Sequence, residues 1–459
     1  MPEHILFLTG RLAENSLRKV LASLDPAPFT YEVRDLGLQV AGLMTSEMVQ
    51  RRLAELNGAT RVLLPGRCRG DLVPLREKFG VPFERGPDEL KDLPQYFGEA
   101  ARAVDLSRYD IQIFAEIVDA PHLSVEAILG RARAYAAHGA NVIDLGCLPQ
   151  TPFPHLEEAV AALRQEGLKS SVDSMDTNEL LRGGRASCDY LLSLKRETLW
   201  IAHEVSATPV LIPSEQGDMV SLLEAMDTLA KDGRDFIADA ILDPIHFGFT
   251  ESLLRYRELR NARPDAQIMM GTGNLTELTD ADTLGMQALL IGIMSELHIT
   301  HMLTTQVSKH ASGVVKEAGA ARRMMYAARE ADSLPRRFGG ALLALRDTSP
   351  FPYSASEIAE AAASIKDPSF RIQVSEEGLH IYNRDGVRLA NDPFALYPKL
   401  GVDSDASHAF YLGVELARAQ IAWQLGKRYV QDRELDWGCA KLRDSGAPAA
   451  HRNPAEGGE

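Results

Sequence analysis

Asp243 lies just past the apolar run FIADAIL (Phe236 to Leu242) and is followed by Pro244 and a glycine turn in ILDPIHFGFT. A carboxylate between a buried strand and the next helix, here expected over Glu251 to Arg260, sits where barrel enzymes collect their chemistry. Comparable positions recur along the chain: Glu116 and Asp119, Asp144 with Gly146, Asp173 and Ser174, Ser193 and Lys195, Asn274, and Lys309 with His310. Gathered at one mouth, they form a polar and mostly acidic ring. Each ionised carboxylate accepts two hydrogen bonds in one plane, so the ring suits a flat heterocycle rich in N–H donors. It also suits proton transfer if burial raises one of the pKa values. Helix capping is the competing reading. Asp176 in MDTNEL is a better cap than Asp173, whereas Asp144 and Asn274 serve equally well as structural residues.

The elements that would position this ring form a repeat. From Ile111 to about Arg329 the pattern is strand, loop, helix, with strands expected near Ile111, Asn141, Lys169, Asp189, Thr208, Phe236, Ala266 and Ala288. Period-3.6 stretches such as VEAILGRARAYAAHGA and MVSLLEAMDTLAKDG supply the helices. The count points to an α/β fold built on a (β/α)8 TIM barrel at 110–332, with a doubly wound open sheet as the alternative. Before it, 1–105 alternates HILFLTG, a helix over Glu14 to Leu24, YEVRDL, a helix over Thr45 to Leu56, and RVLLPG, the pattern of a small flavodoxin- or Rossmann-like α/β module. Its turns TGR and PGRCRG contain neither GxGxxG nor a Walker lysine, so ordinary turn glycines are the better reading. After Pro335, FRIQVSEEGLHIYNRDGVRLA reads as strand with an Asp-Gly hairpin turn and GVELARAQIAWQLG as amphipathic helix, giving a C-terminal α+β domain at 336–440. Residues 441–459 lack apolar anchors and are expected to be disordered.

Composition narrows the class. A chain of 459 residues exceeds a single core. Its 45% hydrophobic and 25% charged fractions are those of a soluble protein, and no stretch reaches the roughly 20 apolar residues of a membrane span. A formal charge of −15 disfavours nucleic acid and leaves small molecules as the expected partners. MPEHILFLTG has no basic region ahead of an apolar one, so a cytoplasmic location is expected. The four cysteines are scattered and read as reduced thiols. His298 and His301 with Glu296 mimic a metal set, but a helix packed on its neighbours is the better reading, so no metal-ligand set is assigned. The Arg322–Arg323 pair reads as a solvated helix face.

Three motifs carry a family resemblance. GANVIDLG (Gly139 to Gly146), SVDS (Ser171 to Ser174) and ILDPIHFGF (Ile241 to Phe249) resemble, in order and spacing, signatures of the dihydropteroate synthases and the wider pterin-binding barrels. The resemblance covers about half the chain. It implies a dihydropteroate synthase-like barrel in which Asp173 and Asp243 hold the aminopyrimidine edge of a reduced pterin, with Ser193, Asn274 and Asp144 completing the pocket. Lys309, His310 and Glu116 are the implied catalytic residues, with Mg2+ neutralising a substrate diphosphate, an arylamine as second substrate, and a homodimer as the expected assembly.

Departures from the family pattern are informative. The synthase loop Asn-x-Thr-Pro-Asp-Ser is replaced by AEIVDAPHLS (Ala115 to Ser124), Ser-Arg-Lys by MGTGNLTEL (Met270 to Leu278), and Arg-x-His by QVSKHASG (Gln306 to Gly313). Glu116 and Asn274 instead resemble the methyltetrahydrofolate-binding methyltransferases of the same barrel group. The three-part layout resembles dihydropteroate synthase-related proteins found alongside tetrahydromethanopterin biosynthesis. Three functions follow as expectations: joining of a dihydropterin methyl diphosphate to an arylamine, pterin-dependent one-carbon transfer, or non-catalytic pterin binding.

Overall fold

The computed structural model describes residues 3–24, 29–88, 90–100, 105–336 and 338–441. The tail expected to be disordered, from residue 442 onward, lies outside them. The described residues fall into two compact units, one formed by 3–100 with 346–435 and the other by 105–345 with 436–441.

In the first unit, β1 (His4–Thr9), β2 (Thr30–Asp35), β3 (Arg61–Leu64) and β4 (Phe83–Arg85) make a parallel sheet in the order β2-β1-β3-β4. Both faces of β1 are covered, which explains its unbroken apolar run: Leu6 and Leu8 pack on one side, Ile5 and Phe7 on the other. The helix expected over Thr45 to Leu56 is shorter, Ser46–Arg52; Thr45 caps it, and Leu53 turns to extended backbone.

The second unit is the barrel. β5 (Gln112–Ile117), β6 (Val142–Gly146), β7 (Lys169–Asp173), β8 (Tyr190–Leu194), β9 (Thr208–Leu211), β10 (Ile237–Asp239), β11 (Ile268–Gly271) and β12 (His301–Thr305) close into one parallel ring, with β12 pairing β5. The fold is a (β/α)8 barrel. Side-chain alternation divides each strand between two cores. Phe114, Val142, Leu192, Val210, Ile237 and Met269 fill the interior. Ile113, Ala115, Ile143, Leu145, Val172, Leu191, Ala238 and Met270 face the helices outside. Two residues past the interior apolar positions, the same parity brings Glu116, Asp144 and Asp239 to the inner face near the strand ends.

Three expectations need correction here. The eighth strand is not near Ala288: that segment is the helix Thr283–Glu296, and the strand is His301–Thr305. The run ALLIGIM is apolar because Leu290, Ile291 and Met294 are buried, and an apolar run alone does not separate buried helix from buried strand. His298 and His301 accordingly share no helix. His298 sits at a left-handed turn (φ 50), and His301 is on β12, its ring 5.9 Å from that of Phe114 and its pKa pushed down to about 4 by burial. Nor is Arg322 solvated. It is 1% exposed, lies 3.6 Å from the centre of the Tyr109 ring, and donates to Ile111 O (2.6 Å), Asn141 Oδ1 (2.5 Å) and Gly139 O (2.7 Å).

In the first unit's C-terminal part, β13 (Arg371–Ser375), β14 (Gly378–Asn383) and β15 (Gly386–Ala390) form an antiparallel meander with Asp385-Gly386 at the second turn. The helix Ala406–Leu425 packs on β13 and β14 and ends in a left-handed Gly426.

Arg322 generates a stability prediction. Arg322→Met keeps the stem but takes the donor from the buried Ile111 O and the half-buried Gly139 O, while Asn141 Oδ1 keeps its bond from Ile113 N; an unsatisfied buried acceptor costs about 1–3 kcal/mol. Thermal denaturation followed by circular dichroism is expected to show a loss of several degrees, whereas Arg323→Met loses much less.

Candidate functional site

The inner ends of β5, β6 and β7 converge on three carboxyls. Strand register places Glu116 beside Asp144 and Asp144 beside Ser171, while Gly146 pairs with Asp173 one step higher. One oxygen from each of Glu116, Asp144 and Asp173 lies within 4.8 Å of the others. Asp144 is wholly buried; its Oδ1 accepts from Ser171 Oγ at 2.5 Å, and its Oδ2 has no hydrogen-bond partner. Asp173 accepts from Ser193 Oγ at 2.8 Å.

Two backbone features make room for this layer. A Cβ on Gly146 would stand 2.7 Å from Glu116 Oε1 and 3.1 Å from Val118 Cα, so only glycine lets that carboxyl lie over β6. Ser193 occupies a left-handed conformation (φ 72) where the pairing of β8 with β9 shifts register, and this turn brings its hydroxyl onto Asp173. Such backbone costs of order 1–3 kcal/mol and concentrates at functional sites.

Electrostatics follow from burial and mutual repulsion. Burial first, then the Asp173 charge, pushes Glu116 up to about 7. Burial, Asp173 and Glu116 together hold Asp144 well above the usual carboxylate range, against the opposing hydrogen bond from Ser171. Asp173 is raised by burial, with Ser193 opposing. None of the three enters an ion pair among the described residues.

Asp243 sits differently. It is 5% exposed, and its carboxylate is already engaged: Arg255 Nη2 reaches Oδ2 at 2.6 Å and Gln216 Nε2 reaches Oδ1 at 3.0 Å. Arg255 also donates to Ile241 O at 2.9 Å, clamping a β-branched residue in the left-handed region (φ 64). Gly248, at φ 119, closes the loop so tightly that a Cβ there would lie 2.9 Å from Asp243 Oδ2. Asn274 ties neighbouring loops together, its Nδ2 donating to Leu242 O at 2.8 Å.

Lys309 is exposed, and His310 Nε2 lies 3.0 Å from Thr276 O. Glu277 steadies their loop by accepting from Val307 N and Ser308 N. Lys195 donates to Ser214 O at 3.2 Å, and Ser174 donates to Glu179 at 2.6 Å. Asp119 is drawn outward into an ion pair with Arg131, so the first loop presents no free carboxylate for a metal. The structure thus gathers Glu116, Asp144, Asp173 and Ser193, and keeps the Asp243 carboxylate within an arginine clamp.

Sequence reasoning missed Asp239. This residue ends β10 on the inner face, accepts from Tyr256 Oη at 2.5 Å and Ile241 N at 2.7 Å, and is pushed up to about 6 by burial. The signal was available in the alternation of Ile237 and Asp239, but extending the strand to Leu242 obscured it. Arg255, Gln216 and Glu179 left no local signal.

An acidic-mouthed (β/α)8 barrel is therefore the class that fold and site define. A family model described as a family of unknown function (DUF6513) matches residues 3–88. An uncharacterized protein of Methanocaldococcus jannaschii is 24% identical, over 94% of this chain and 98% of the relative. Among solved structures, a dihydropteroate synthase of Yersinia pestis with a pterine-sulfa conjugate is 16% identical, covering 49% of this chain and 96% of that one at a TM-score of 0.39. The 7,8-dihydropteroate synthase of Vibrio fischeri is 14% identical, covering 49% and 94% at a TM-score of 0.40.

The raised Glu116 sets a pH dependence. A carboxyl at about 7 in the folded state and 4.5 unfolded gives stability that is full below about 4.5 and is lost as pH rises through 7. Glu116→Gln removes this titration. In a chelating buffer its unfolding free energy is expected to match wild type near pH 4.5 and exceed it increasingly towards pH 8, by about 3 kcal/mol, with the melting temperature following; a constant difference would refute the assignment.

Proposed function

We propose that the protein is a dihydropteroate synthase-like transferase, joining a 6-hydroxymethyl-dihydropterin diphosphate to an arylamine in folate-like, tetrahydromethanopterin-type biosynthesis. The observation that carries the reading is the layer of acceptors at the half-buried Glu116 and Asp173 and the buried Asp144. A pterin edge presents several N–H donors in one plane, and such a layer accepts them where water does not compete. Asp173, oriented by Ser193, grips the aminopyrimidine edge. Asp243 takes part through whichever lone pairs Arg255 and Gln216 leave, and Asn274 fixes the adjoining loop.

The chemistry asked of the chain is substitution at a methylene. The arylamine nitrogen attacks the carbon, the carbon–oxygen bond breaks, diphosphate departs, and the amine proton passes to a base. Glu116 is the candidate acceptor for that proton. Lys309 and His310 supply charge and hydrogen bonding to the anionic group. Positioning of two bound substrates provides much of the rate. In the tetrahydromethanopterin setting the amine is a ribofuranosylaminobenzene phosphate.

Glu116 also favours a second reading. A carboxyl that holds its proton near neutrality suits a one-carbon transferase that protonates a reduced pterin during transfer.

Calorimetric titration with the dihydropterin diphosphate, followed by the arylamine, separates these. Asp173→Asn is expected to weaken binding roughly 10- to 100-fold, the equivalent of one charge-assisted hydrogen bond, and the amine should release diphosphate only in wild type. Binding without release would favour one-carbon transfer. No binding would overturn the pterin reading.

A further inference from the structure

We infer that Glu116, Asp144 and Asp173 form a divalent-cation site at the barrel mouth, held by the strand ends and not by the first βα loop. The inference goes beyond the transferase reading and does not depend on which organic substrate binds.

Four observations support it. The three carboxyl oxygens lie within 4.8 Å of one another, and ligands on opposite sides of one ion, at roughly 2.1–2.4 Å each, stand about 4.2–4.8 Å apart. Three ligands cannot all lie opposite one another, so an ion draws the carboxyls together: with every pair at 4.8 Å the point equidistant from them is about 2.8 Å away, a few tenths of an ångström beyond coordination distance. The second is Asp144 Oδ2, wholly buried yet without a hydrogen-bond partner, although Oδ1 of the same carboxyl is held by Ser171. A buried carboxylate oxygen left unpaired is costly, and coordination to a cation supplies what the fold does not. Third, Thr305 Oγ1 is another buried atom without a partner, and the pairing of β12 with β5 sets Thr305 directly beside Glu116. A neutral hydroxyl on the residue beside Glu116 offers a further oxygen donor of the same hard character. Fourth, among the described residues no arginine or lysine pairs with these carboxyls, so side-chain cations do not account for their grouping.

The donor chemistry selects a hard ion such as Mg2+, Mn2+ or Ca2+ over a thiophilic one. Each carboxyl needs to lend the ion only one oxygen, leaving the others to Ser171, Ser193 and an organic ligand. The bound ion offers a positive charge to a phosphate or carboxylate group of a substrate.

The test uses the cation alone on the full chain. Melting temperature is measured in chelator and across a titration of Mn2+, Mg2+ and Ca2+, with Mn2+ binding read independently by electron paramagnetic resonance. Wild type is expected to show a saturable rise in melting temperature and loss of the free Mn2+ signal at one ion per chain. Asp144→Asn and Glu116→Gln should bind at least ten-fold more weakly. Glu116→Gln keeps or raises the melting temperature in chelator, so its loss of response reports the site and not misfolding. Asp119→Asn, at the exposed Arg131 pair, should respond as wild type does. Absence of a saturable response in wild type, or an undiminished one in Glu116→Gln, would overturn the proposal. Failure of the pterin titration would leave it standing.

Discussion

Repulsion among one buried and two half-buried carboxyls is the constraint to which the rest of the barrel mouth responds. Glu116, Asp144 and Asp173 occupy the inner ends of consecutive strands with oxygens within 4.8 Å, in a place where water screens little. A hydrophobic layer at the same height would be more stable. Below them Phe114, Val142 and Leu192 show that apolar packing is available to these strands. The acids therefore cost stability at that height.

The surroundings accommodate that layer. Gly146 withholds a side chain where Glu116 must lie. Ser193 accepts a left-handed backbone that brings its hydroxyl onto Asp173. On the far side of the ring, Arg255 holds Ile241 in an equally unfavourable conformation while neutralising Asp243. The two halves of the mouth thus differ in character. One crowds carboxyls without a cation; the other pairs Asp243 with Arg255 and is knitted through Asn274 and Glu277.

Much of this was legible in the sequence. Acids just past apolar strands at Glu116, Asp144, Asp173 and Asp243 are visible because strand-end positions follow from period-2 patterning. Seven strands were placed within a few residues for the same reason. The eighth was not, since ALLIGIM is apolar all round, with Leu290, Ile291 and Met294 buried against neighbours that only the fold supplies while Leu289 stays exposed. That error also hid Thr305 beside Glu116. Distant pairings were beyond reach: nothing near Arg255 announces Asp243, and nothing near Arg322 announces Tyr109 or Gly139. A doubled arginine on a helix looks the same whether it meets water or a ring of carbonyls.

The barrel unit also has a consequence for how the chain is made. Residues 436–441 belong to it although 346–435 belong to the other unit. Lys316 Nζ donates to Lys441 O at 2.6 Å, and Cys439 N donates to Ala341 O at 2.7 Å. During synthesis, therefore, the barrel's last strap leaves the ribosome about 106 residues after its final helix, Val314–Glu330. Until then the strands can close, but the surface that the strap covers stays open. Completion of the barrel is thereby coupled to translation of the intervening segment, an ordering in time that the finished structure records only as a crossing of the chain.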